Sequence, residues 1–164
     1  MNYAWLLCAA AVCLSVVQAE DAKVVKEGDE LPAVSAQDES GTTVNLTDFK
    51  GKSGLVLFFF PKAFTPGCTK ETCGFRDESA KYKEKGYTIY GVSRDTPKML
   101  GDFKAKYTAP YSFLSDPNSE LAKTFGFAPG ERSTAVIGKD GKVEKILKKV
   151  NPTTHYTELL KDLK

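Results

Sequence analysis

The chain has 164 residues, enough for one domain with a sizeable apolar core. Its 23 Lys and Arg are interleaved with 21 Asp and Glu, for a formal net charge of +2. That balance, with no basic stripe and no acidic tail, argues against a nucleic-acid surface and against a disordered chain.

Residues 1–19 carry no charged side chain. Their apolar run, Ala4 to Val17, is shorter than the ~20 residues that span a bilayer. The run ends in Val17-Gln18-Ala19 before Glu20-Asp21, with small residues where a signal peptidase reads them. The expectation is a signal peptide over 1–19 and one domain over 20–164. That places the chain in the secretory pathway, secreted or in an ER-derived compartment, with no stable membrane insertion after cleavage. Cleavage would remove Cys8, Cys13 and Trp5, leaving Cys68 and Cys73. In that compartment Asn45-Leu46-Thr47 is a glycosylation acceptor, whereas Pro152 disqualifies Asn151-Pro152-Thr153.

Along the rest of the chain, Ala33 to Gln37 and Thr42 to Leu46 flank a polar turn and predict a hairpin. Gly54 to Phe60 is apolar without alternation, which suits a strand buried on both faces. Cys68 to Lys85 reads as a helix ending before Gly86, and Tyr87 to Ser93 as a second buried strand. Thr96-Pro97 opens a helix with Met99, Leu100, Phe103 and Tyr107 as its apolar positions. Ser112 to Leu114 reads as a short strand and Asn118 to Phe125 as a short helix. Arg132 to Ile137 and Val143 to Leu147 flank Asp140-Gly141, a hairpin-turn pair, with the lysines of 139–149 on a solvated strand face. A last helix from Thr154 carries Tyr156, Leu159, Leu160 and Leu163 on one face, with His155 at its start as a surface residue. The alternation of strands and helices, closed by a hairpin, predicts an α/β protein of thioredoxin-like fold: a mixed central sheet flanked by helices, with an N-terminal β-hairpin.

The chemistry concentrates in Pro61 to Arg76, at the exit of a buried strand and the start of a helix. Cys68 falls in the first helical turn, where unpaired N–H groups and the helix dipole favour a thiolate, with Lys62 and Lys70 as local cations. Thr65 stands where it can cap the helix, with Pro66 at the first position, or bond a substrate oxygen. Cys73 lies five residues after Cys68, about 140° around an intact helix and roughly 8.5 Å away between Cα atoms. A disulfide needs about 7 Å or less, so either the two never pair or this turn unwinds. Thr72 and Gly74, both weak helix formers, suit a turn that opens. One cysteine pair and one histidine are too few ligands for a zinc site, and no cofactor is expected.

The run Pro61-x3-Thr65-x2-Cys68 resembles the peroxiredoxin signature, and Thr65-Pro66-Gly67-Cys68-Thr69-x-Glu71-x-Cys73 resembles its peroxiredoxin Q, or bacterioferritin comigratory protein, subgroup. The resemblance runs from about Val24 to Lys164 and includes Arg132-Ser133-Thr134. It implies a peroxidase of hydrogen peroxide and organic hydroperoxides with an antioxidant role. Cys68 would be the nucleophile and Cys73 the resolving thiol in an intramolecular disulfide. Thr65 and Arg132 would stabilise the transition state, Pro61 would shield the sulfenic acid, and Glu71 would orient Arg132. Taken alone, Glu71 also reads as a solvated first-turn acid and Arg132 as a strand-edge charge. The resemblance further implies a thioredoxin-type reductant and a monomer.

Overall fold

The computed structural model describes residues 24–163; the expected signal peptide lies outside them. The hairpin forms from β1 (Ser35–Asp38) and β2 (Thr43–Asn45). Its turn is tied by the Asp38 carboxylate, which accepts from the backbone N–H groups of Ser40 and Thr42. A 3₁₀ turn, Leu46–Phe49, leads to β3 (Gly54–Phe59), then α1 (Pro66–Glu84) and β4 (Tyr87–Ser93). There follow α2 (Pro97–Tyr107), β5 (Ser112–Ser115), α3 (Glu120–Thr124), β6 (Ser133–Ile137), β7 (Val143–Lys148) and α4 (His155–Asp162).

The strands join one mixed sheet in the order β2-β1-β5-β4-β3-β6-β7. β3 runs parallel to β4 and antiparallel to β6. Every residue of β3 is buried, and its alternate side chains serve two cores. Val56 and Phe58, with Phe60 beyond the strand, pack with Phe75, Leu100, Phe103 and Leu159 beneath α1, α2 and α4. Leu55, Leu57 and Phe59 pack with Leu46, Leu121, Phe125 and Phe127 on the opposite face. The unbroken apolar run is therefore the middle layer of a sandwich. β7 forms the other edge, where Lys145 reaches Asp162 and Lys148 the Gly126 carbonyl.

Two readings change. His155 is not on the surface: it is 3% exposed, on the same face of α4 as Leu159. Gly74 is explained by packing, since a Cβ there would lie 2.2 Å from the Tyr156 ring. Gly74→Ala is therefore expected to destabilise. Overpacking costs ~1–3 kcal/mol against a helix-propensity gain of about 1 kcal/mol. A urea midpoint that rose instead would show that Tyr156 swings aside freely.

Candidate active site

β3 delivers the chain into a loop that is fastened before the helix begins. Phe60 N–H donates to the Val92 carbonyl, and Ala63 N–H to the Asp95 carboxylate at 2.7 Å. Ser93 Oγ donates to the same oxygen of Asp95, and Ser115 Oγ to the Asp95 carbonyl. The loop carries Phe64 at φ +64°, a conformation disfavoured for a bulky residue. Its ring packs on Phe103, with Lys106 over its face. Pro61 stands exposed at the exit of β3.

Thr65 is the N-cap residue of α1, but its hydroxyl does not cap: it donates to the Lys62 carbonyl at 2.9 Å. Pro66, lacking an N–H, opens the helix. Cys68 follows in the first turn, 1% exposed. The cation on its sulfur is Arg132, whose Nη2 donates to Sγ at 3.2 Å. The sheet explains this meeting across 64 residues. β6 runs antiparallel to β3 with Ser133 opposite Phe59, so Arg132 enters beside the point where β3 leaves. Gly67 leaves room for the guanidinium, since a Cβ there would sit 3.3 Å from Nη2.

The other guanidinium nitrogen, Nη1, donates to Glu71 Oε2. Glu71 is wholly buried, which rules out a solvated first-turn acid. Burial pushes its carboxyl up to about 8, against the pull of Arg132. Behind it stands His155, which burial holds down at about 4, with the charge of Arg132 acting in the same direction and the Asn151 carbonyl opposing. Its Nδ1 lies 3.1 Å from the Asn151 carbonyl and its Nε2 3.2 Å from Thr134 Oγ1 and 3.5 Å from Glu71 Oε1.

Cys68, Arg132 and Glu71 thus form one bonded cluster, with Thr65 at the same helix start. Cys73 lies along unbroken α1, half-buried, and both thiols are free. Lys62 and Lys70 are exposed. Sequence reasoning missed His155 and also Tyr111, whose hydroxyl donates to the Thr72 carbonyl between the two cysteines. The four-residue spacing of His155 from Leu159 was the available signal for the first.

The opposed shifts at Glu71 and His155 predict a pH signature. His155 binds a proton more readily unfolded than folded between about 4 and its ordinary 6.5, so it makes stability rise with pH there. Glu71 binds one more readily folded than unfolded between its ordinary 4.5 and about 8, so it makes stability fall with pH. The two offset below 6.5. Above it the Glu71 slope remains, up to about 1.4 kcal/mol per pH unit until about pH 8. Urea unfolding should show this decline in the wild type and not in Glu71→Gln.

The AhpC/TSA family model matches residues 27–146. Peroxiredoxin bcp1 of Schizosaccharomyces pombe is 46% identical over 102 residues, 62% of this chain and 52% of the relative, so the chain spans about half of that protein. Peroxiredoxin Bcp of Bacillus subtilis is 38% identical over 151 residues, covering 85% of this chain and 96% of the relative. The crystal structure of peroxidoxin BcpB from Mycobacterium tuberculosis superposes with a TM-score of 0.78 at 32% identity, covering 84% of this chain and 96% of that one. These relatives overturn the secretory placement. The bacterial and fungal proteins are of cytosolic type, and the chloroplastic peroxiredoxin Q relatives are plastid proteins. A short apolar run before small residues records composition alone, which does not identify the machinery that reads it.

Proposed function

The chain belongs to the AhpC/TSA family as a thiol-dependent peroxidase of the peroxiredoxin Q and Bcp kind, and on that premise we propose that Cys68 is its nucleophile and Cys73 its resolving thiol. The observation that carries the assignment is the Arg132 guanidinium on the sulfur of a cysteine in the first turn of α1. That placement sets a cation beside the nucleophile and puts a donor where the departing oxygen gathers charge.

The Cys68 thiolate attacks the hydroxyl oxygen of a hydroperoxide. The O–O bond breaks, the remaining oxygen leaves as hydroxide or alkoxide and takes up a proton, and Cys68 becomes a sulfenic acid. Arg132 and the Thr65 hydroxyl, once it turns from the Lys62 carbonyl, stabilise the leaving oxygen. Glu71 fixes the guanidinium, and Pro61 screens the sulfenic acid. The Cys73 thiol then condenses with it, forming the disulfide and releasing water. Hydrogen peroxide and organic hydroperoxides both fit, because the reacting group is the same.

Cys68 and Cys73 must approach for this step, so the first turns of α1 unwind. Two features favour a turn that opens there. Thr72 Oγ1 is buried without a partner, and Cys73 already reaches solvent. An external dithiol of thioredoxin type restores both thiols by exchange and is itself oxidised to a disulfide. The bond is internal, so the reaction requires no second chain.

Intact mass spectrometry tests the assignment. One equivalent of peroxide should remove two hydrogens, with Cys68 and Cys73 in one linked peptide. A lasting gain of one oxygen, or a bond between two chains, would displace it.

A further inference from the structure

Glu71 Oε1 is the exception in a bonded site. It is buried and takes no hydrogen bond. What faces it is His155 Nε2, at 3.5 Å. The Asn151 carbonyl can only accept, so the nearby Nδ1 carries the ring hydrogen, and a neutral ring presents a lone pair at Nε2. Thr134 Oγ1 lies 3.2 Å from the same nitrogen, and its hydroxyl can turn its hydrogen elsewhere. Glu71 Oε1 has no donor to meet. An ionised Glu71 would set two lone pairs against each other away from water, at full desolvation cost.

The charge count points the same way. One guanidinium faces both Cys68 Sγ and Glu71 Oε2. If thiol and carboxyl were both ionised, the buried cluster would carry an excess negative charge beside the nucleophile. The other ionisable neighbours do not compensate. Glu158 on α4 is exposed and of the same sign. Tyr111 is buried with its hydroxyl on the Thr72 carbonyl. Arg76 is bound to Asp77 and the Tyr107 carbonyl.

We propose that Glu71 and His155 hold one proton between Oε1 and Nε2 at neutral pH, so that the pair is neutral and the charge of Arg132 is left to Cys68. His155 is then a positioning residue acting through Glu71. The upward displacement of Glu71 and the downward one of His155 agree with a proton resting mainly on the carboxyl. The consequence for catalysis rests on the peroxidase reading, but the location of the proton does not.

The chain has a single histidine, so nitrogen NMR of labelled protein reads His155 without ambiguity. Carbon NMR of the side-chain carboxyls reads Glu71, assigned by its loss in Glu71→Gln. At pH 7 the pair should carry one proton, as a carboxylic acid beside a neutral ring or a carboxylate beside an imidazolium. Both signals should move in one step as it leaves. A carboxylate beside a neutral imidazole at pH 7 would overturn the proposal, whatever the protein's activity.

His155→Gln supplies the second arm. Its amide offers Glu71 Oε1 a donor in place of an acceptor and lets Glu71 ionise against Arg132. Thiolate absorbance in a Cys73→Ser background should titrate higher, and Cys68 oxidation at pH 7 should slow by up to about ten-fold, one pKa unit. Adding Glu71→Gln restores a neutral partner without a proton and should recover most of that rate. Losses that simply add would mark His155 as packing alone and defeat the proposal.

Discussion

Arg132→Met is expected to slow the reaction of Cys68 with peroxide by about 10²–10³-fold, the loss typical of one transition-state donor. Methionine keeps the apolar stem and removes both bonds of the guanidinium, Nη2 to Cys68 Sγ and Nη1 to Glu71. The first bond sets a donor on the reacting sulfur, and the second aims the group. The loss should appear in kcat/KM measured by stopped-flow peroxide consumption, because the donor acts on charge that develops as the O–O bond breaks. Arg132→Lys should fall between the two, since a point charge cannot serve sulfur and carboxylate with a planar fork. Were Arg132→Met to react at the wild-type rate, the residue would be a surface charge with fortuitous neighbours.

The second large effect is at Cys73. Cys73→Ser should keep the first, fast oxidation of Cys68 and lose sustained turnover with a dithiol reductant. Continued peroxide should drive Cys68 to sulfinic acid, a gain of two oxygens by mass. The reasoning is geometric. Along unbroken α1 the two cysteines lie roughly 8.5 Å apart between Cα atoms, beyond disulfide reach. Their pairing is therefore coupled to opening of the turn, which only Cys73 can then trap. The Tyr111 hydroxyl donates to the Thr72 carbonyl within that turn. If Cys73→Ser cycled like the wild type, the sulfenic acid would be resolved from outside the chain.

How much of this was legible in the sequence depended on distance along the chain. β3 was legible because a strand buried on both faces leaves an unbroken apolar run, and the structure divides that run between two cores. The β6–β7 hairpin was legible because Asp140-Gly141 supplies the turn, with Gly141 at φ +83°. The pairing of β1 with β5 was not, since Gln37 meets Ser115 through no local pattern. The same holds for Arg132, which reaches Cys68 because β6 returns beside β3. Without the family resemblance it reads as an edge charge. Glu71 and His155 were obscured for a chemical reason: polar side chains read as solvated unless a partner is known, and their partners come from other elements. The secretory placement failed where the sequence offered composition without a site.

The most direct test traps the oxidised sulfur. Cys73→Ser protein treated with one equivalent of peroxide, in the presence of a reagent selective for sulfenic acids, should carry the adduct on Cys68 and nowhere else. Cys68→Ser should consume no peroxide under the same conditions. Peroxide consumed with Cys68 unlabelled, or consumption that survives its replacement, would contradict the account.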